Sequence, residues 1–163
     1  MPSSDASFFP HLSPTGDAHM VDVSDKSASK REAVAEGWLH TTAAVVEAIT
    51  QDKLKKGDAL ATARIAGIMG AKKTSDLIPL CHPLPLSHVA VVLSADTTQN
   101  AIHIQATCRI TGKTGVEMEA LTAVATAALT LYDMIKAHDK SAHIDGLRLL
   151  HKSGGKSGDY TVK

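Results

Sequence analysis

Five places in the chain carry side chains able to do chemistry: Glu119, the pair Asp133 and Lys136, Lys56 beside Gly57, the run Cys81-His82-Pro83, and Gly154-Gly155-Lys156-Ser157 with Lys152 before it. A carboxylate and an amine three residues apart on a helix form either a solvated ion pair, worth a few tenths of a kcal/mol, or a proton-transferring couple. Lys56 reads as a surface lysine unless it lies buried near other cations, which would lower its pKa toward the range useful for proton transfer. His82 stands in a stretch stiffened by Pro79, Pro83 and Pro85, so its imidazole suits a hydrogen-bonding or proton-carrying role. Cys81 and His82 are both good zinc ligands, but no second pair stands at metal spacing along the chain. No metal is expected.

The glycine-lysine run matches the second half of the P-loop pattern, yet Leu150 stands where the first glycine belongs, and too little chain follows Gly158 for the phosphate-binding helix. A nucleoside triphosphatase of that type is not expected. Glycines flanked by Lys152 and Lys156 can still offer backbone N–H groups and positive charge to a phosphate chain, unless the segment is only a flexible tail.

These groups need elements to position them. Arg31 to Leu39 reads as a first strand, with Val34 and Trp38 on one side and Glu32 and Glu36 interrupting the alternation. Thr41 to Ile49 suits a short helix, and Lys55-Lys56-Gly57-Asp58 a loop that closes on the N-cap of a second helix reaching about Lys73. That helix is rich in Ala and Gly, which predicts close backbone packing at a cost of about 1 kcal/mol per glycine. Leu77 to Leu86 must be an irregular connector. Strands follow at His88 to Ser94 and Ala101 to Ile110, then a long helix from Val116 to about His138, then a strand from Ile144 to His151. The order predicts an α+β fold of the ferredoxin-like βαββαβ kind, with an antiparallel sheet and its helices on one face. A polar-poor alternation on the sheet's other face would imply self-association, and an oligomer is expected.

On the long helix Val124, Ala128, Leu131 and Ile135 form an apolar stripe, while Thr126, Thr130 and Asp133 project within about 40° of Glu119. Fourteen residues separate Glu119 from Asp133, about 21 Å along the axis. One small ligand cannot touch both, so either one of them lies outside a given site or a neighbouring subunit brings its own copy alongside.

Composition narrows the field. Lys plus Arg and Asp plus Glu balance at 17 each, which leaves no overall field to draw the chain to nucleic acid or an anionic membrane. Aromatics at 3% supply few rings for base stacking, and the hairpin strands carry none, against an RNA-binding βαββαβ domain. Two cysteines are too few for a disulfide framework, which fits a reducing compartment. Ser3, Ser4 and Asp5 stand where a signal peptide needs a basic flank and an apolar run. Residues 1–14 are therefore expected to be a flexible tail and 15–163 a single domain. Glu117, Glu119 and Asp133 interrupt the most apolar stretch, and no membrane role is expected.

Several ordered blocks resemble the molybdenum cofactor biosynthesis protein C family, MoaC. They include Asp17-Ala18-His19-Met20-Val21-Asp22-Val23, Lys56-Gly57-Asp58, Asp76-Leu77-Ile78-Pro79-Leu80-Cys81-His82-Pro83, Thr111 to Thr122, Leu131-Tyr132-Asp133-Met134 and Lys152 to Gly158. The resemblance implies a ferredoxin-like subunit in a cytoplasmic homohexamer, a trimer of dimers with active sites at dimer interfaces. It also implies a reaction: conversion of 3′,8-cyclo-7,8-dihydroguanosine triphosphate to cyclic pyranopterin monophosphate with release of diphosphate, needing no redox chemistry and no bound cofactor. Carried over by position, Asp133 is the family's catalytic residue, with Lys56 and Lys136 as proton carriers. Leu80, Cys81, His82, Met118 and Glu119 match substrate-contacting segments, and Arg31, Lys152 and Lys156 could supply charge to the departing diphosphate. The competing reading is a non-catalytic ferredoxin-like module that binds a nucleotide and regulates a partner; it leaves Asp133, Lys136, Lys56 and His82 without a purpose.

Overall fold

The computed structural model describes residues 9–163. Five strands form one sheet: β1 (Ser29–His40), β2 (His88–Asp96), β3 (Ala101–Gly112), β4 (His143–Ser153) and the short β5 (Tyr160–Thr161). Four helices accompany it: α1 (Ala43–Thr50), α2 (Ala59–Lys72), the single turn α3 (Thr74–Leu77) and α4 (Glu117–Ile135). The sheet order is β2-β3-β1-β4-β5 with every neighbouring pair antiparallel. This is the expected α+β ferredoxin-like arrangement, with β5 and α3 added. Of the segment 1–14, residues 1–8 lie outside the described residues, and Leu12 bridges to Ala18 in a small loop.

The strands form where apolar residues alternate. Ile102, Ile104, Ala106 and Cys108 of β3 are fully buried, and Ala33, Ala35 and Leu39 of β1 sit beside them. Val34, Trp38, Glu32 and Glu36 all share the opposite face, so the first strand's inward stripe is the alanine one rather than the Val34-Trp38 one. That opposite face is not polar-poor: Glu36 pairs with His103 at 2.8 Å and with Arg148 at 2.7 Å, and Glu32 pairs with Arg109. The expected argument for self-association through an apolar sheet face therefore has no support in the fold.

Helix α4 packs on the sheet over β1, β3 and β4, with α2 beside it over β2, and Ala120, Ala123, Val124, Ala127, Ala128, Leu131 and Ile135 are buried there. Its composition and length would suffice to cross a membrane, but 56% of it is buried within the fold, as befits a core helix. The small residues of α2 do the expected work. A Cβ on Gly67 would stand 2.9 Å from the Ala123 carbonyl oxygen, and one on Gly70 2.7 Å from Thr126 Cβ, so α2 and α4 touch backbone to backbone. Consequently the polar flank of α4 is no open stripe. Its middle, at Thr126, is covered by α2, and only its two ends, near Glu119 and near Asp133, remain available.

Candidate active site

The N-terminal end of α4 borders two adjoining cavities. One, of about 520 Å³, is lined by Lys26, Ser29, Arg31, Lys152, Gly155 and Lys156 among others. The second, of about 310 Å³, is lined by Leu80, Cys81, His82, Met118 and Glu119, together with Val21 and His11. Lys26, Thr114, Gly115 and Glu117 border both. All eight residues expected to contact substrate, scattered from position 31 to position 156, thus meet around one helix end.

Each is placed by its own element. The Pro-rich connector carries His82 back to the strand-free segment before β1, where its Nε2–H donates to the Val21 carbonyl at 2.8 Å, and Nδ1 has no hydrogen-bond partner among the described residues. Arg31 rises from β1 and donates to the carbonyls of Gly112 (3.1 Å) and Lys113 (3.2 Å), which clamps the turn leading into α4. The Gly-Lys segment is no loose tail: β4 continues to Ser153, turns, and pairs back through β5. Gly154 (φ +88°) and Gly155 (φ +84°) make that turn, and a side chain at either would overlap the Lys30 carbonyl or the Arg31 guanidinium. Lys152 pairs with Glu117 at 3.0 Å and donates to Ser157 at 2.8 Å. Ser29 Oγ is buried beside the basic cavity with no hydrogen-bond partner among the described residues. A ligand oxygen would satisfy it.

Glu119 is 4% exposed, and burial, with a smaller push from the Glu117 carboxylate, raises its pKa to about 7. Burial likewise raises the Cys81 thiol, with Glu119 adding to it, so Cys81 is no thiolate nucleophile. Cys108, in the core under Glu119, is pushed to about 12 for the same reasons.

The other end of α4 carries the three residues expected to move protons. Asp133 accepts from Lys136 at 2.7 Å and from Lys56 at 3.4 Å, and Lys56 also donates to the Asp133 backbone carbonyl at 2.9 Å. Lys56 arrives there because Asp58 caps α2, its side chain accepting from the Ala61 N–H at 2.9 Å. Two ammonium groups at a helix C-terminus also favour the negative end of its dipole. Hydrogen bonds from Lys136 and Lys56 hold the Asp133 carboxyl below the usual aspartate range, and Asp133 in turn raises Lys136. Lys56 is not buried among cations; it is half exposed beside the Asp133 carboxylate.

Sequence reasoning thus finds two groups of residues, and the chain holds them at opposite ends of one helix, about 20 Å apart. It passed over Lys26, Ser29, Thr114 and Glu117, which line the cavities. The signal was present in the Gly112-Lys113-Thr114-Gly115 break, a turn ahead of a helix start, where backbone N–H groups point outward.

Residues 20–155 match the MoaC family. Among curated proteins, the chain is 57% identical over 152 residues to the cyclic pyranopterin monophosphate synthase of Corynebacterium efficiens, covering 93% of this chain and 97% of that one. It is 55% identical to the protein of that name from Chloroflexus aggregans (92% and 91% covered) and 53% identical to that from Cereibacter sphaeroides (92% and 94% covered).

Proposed function

The chain belongs to the MoaC family, and from that premise we infer that it is an enzyme of molybdenum cofactor biosynthesis that forms cyclic pyranopterin monophosphate. The regulatory-module reading is not favoured, because relatives matched over nearly their whole length carry the name of a synthase. The substrate is a small nucleotide, which we take to be 3′,8-cyclo-7,8-dihydroguanosine triphosphate, and the co-product is diphosphate.

One observation carries the assignment of roles: the residues fall into a basic, enclosed group and an open acid-base group at the two ends of α4. In this reading Arg31, Lys152 and Lys156 hold the triphosphate and stabilise charge on the leaving diphosphate. Leu80, Cys81, His82, Met118 and Glu119 hold the rearranging ring, and Asp133, Lys56 and Lys136 transfer the protons that opening and reclosing the rings require. Because one ligand cannot span both ends, the site is completed by a second copy whose Asp133 end lies against the first copy's Glu119 end. Exposed apolar side chains on the helix layer, Ile65, Met69 and Leu129, support such self-association. A homohexamer made of three dimers, working in the cytoplasm, fits this picture.

Incubation of the purified protein with the cyclic triphosphate should release diphosphate and yield an oxidisable pterin; binding without either product would restore the regulatory reading. Mixing Asp133→Asn chains with Lys152→Ala chains tests the shared site. Random pairing makes half the dimers mixed, each with one intact site of two, so about a quarter of the activity should return. No recovery would confine each site to one chain.

A further inference from the structure

On the helix-free face of the sheet, far from the cavities, two imidazoles and a carboxylate converge. His40 of β1 and His143 of β4 are register partners across the ladder, and Asp145, two residues beyond His143, points to the same face. Their ligand-capable atoms all lie within 4.8 Å of one another. His40 Nε2 stands 2.8 Å from one Asp145 oxygen and His143 Nε2 4.0 Å from the other, and the two rings stack at 5.0 Å. We propose that His40, His143 and Asp145 form a binding site for a divalent transition-metal ion, with Zn²⁺ as its natural test ion.

The local structure is built to present these groups. A register shift in the β1–β4 ladder between Glu36 and Trp38 re-aims the strands next to the cluster. Gly146, at φ +62°, follows Asp145, and the Trp38 ring packs where its side chain would be, which gives the cluster an aromatic floor. Of the neighbouring imidazoles, His103 packs at a tilt against Trp38, ring centres 4.3 Å apart, and is engaged by Glu36 at 2.8 Å. That leaves a set of two nitrogens and one oxygen with an open fourth position, a donor set that suits Zn²⁺ and similar ions rather than Mg²⁺ or Ca²⁺.

Tetrahedral zinc with bonds of about 2.0–2.1 Å spaces its ligand atoms about 3.3 Å apart. His40 Nε2 and its Asp145 oxygen therefore open by about half an ångström, and His143, whose ligand atom lies within 4.8 Å of the others, closes by up to about 1.5 Å. The side chains of His143 and Asp145 are 65% and 56% exposed, so rotation about their own bonds suffices and an ion can enter from solvent. The site is separate from the one described above. His40 stands nine positions along β1 from Arg31, about 30 Å of strand, and α4 with Asp133 lies on the opposite face of the sheet.

Calorimetric titration of the full chain with Zn²⁺ should show one ion bound per chain at micromolar concentration, with no comparable uptake of Mg²⁺. His143→Gln and Asp145→Asn, both at exposed positions, should each weaken binding at least tenfold, while Asp133→Asn leaves it unchanged. Co²⁺ in place of Zn²⁺ should give visible d–d absorption that the same two replacements abolish. The chain has nine histidines, so uptake alone decides nothing. Absence of micromolar uptake, or uptake that His143→Gln and Asp145→Asn leave untouched, overturns the proposal.

Discussion

The two ends of α4 are made in opposite ways. At the N-terminal end, the segments around Val21, His82 and Thr114 border Glu119, a carboxyl buried to 4% exposure and raised to a pKa of about 7. At the C-terminal end, Asp133 stands in solvent with a 60% exposed side chain, kept ionised by two lysines that reach it directly. The first environment shifts protonation by withholding water; the second fixes it by supplying opposite charge. An isolated chain therefore holds an enclosed pocket without the Asp133 cluster and an acid-base cluster with little enclosure. On the proposed shared site, a second copy would bring the open end into a dry, confined setting, where its charges interact far more strongly.

The sharpest way to break this contrast is Asp133→Asn. An exposed side chain contributes little to the fold, so assembly and melting should be retained, whereas turnover should fall by roughly 10²–10⁴-fold if the carboxylate moves protons. A folded variant with normal turnover would remove the open end from the reaction. Lys136→Ala belongs to the same test: diphosphate release should slow markedly, and an unchanged rate would reduce Lys136 to an ion-pair partner of Asp133.

Glu119→Gln probes the enclosed end through stability. Its folded pKa of about 7 lies above its ordinary value of 4.5, so between those pH values the folded chain holds the proton and the unfolded chain has lost it. Stability must then fall as pH rises from about 4.5 to 7, by about 3 kcal/mol in all, while the glutamine variant lacks this slope. Denaturation curves of the two should nearly coincide near pH 4.5 and separate by pH 8, with the variant more stable. Parallel curves at every pH would mean that Glu119 is solvated.

The pattern of what was legible in the sequence follows the same division. Period-two and helical alternation placed all four long strands, and the alanine-glycine content of α2 foretold its contact with α4. The place of β1 was legible but its inward face was not, because alanines at 33 and 35 and a glycine at 37 are weak hydrophobic markers beside Val34 and Trp38. The Gly-Lys end looked like tail because its order comes from pairing with β4 and from seating on Lys30 and Arg31, contacts that no local pattern encodes. Similarly, no spacing rule joins His40 to Asp145; register across a ladder does. Gly154→Ala tests that seating: a positive φ and an overlap with the Lys30 carbonyl should cost about 1–3 kcal/mol and weaken triphosphate binding together.

The smallest effect should come from Asp58→Ala, and it bears on how the open end is aimed. Asp58 closes the first turn of α2, and the two residues before it carry Lys56 across to Asp133. Loss of the cap should cost about 1 kcal/mol of stability. Because the lysine itself is intact, the chemistry should persist but with Lys56 held less often in place, a few-fold drop in turnover with substrate affinity unchanged. Equal losses in affinity would mean that the loop before α2 touches substrate directly, and the division between a binding end and an acid-base end would no longer hold.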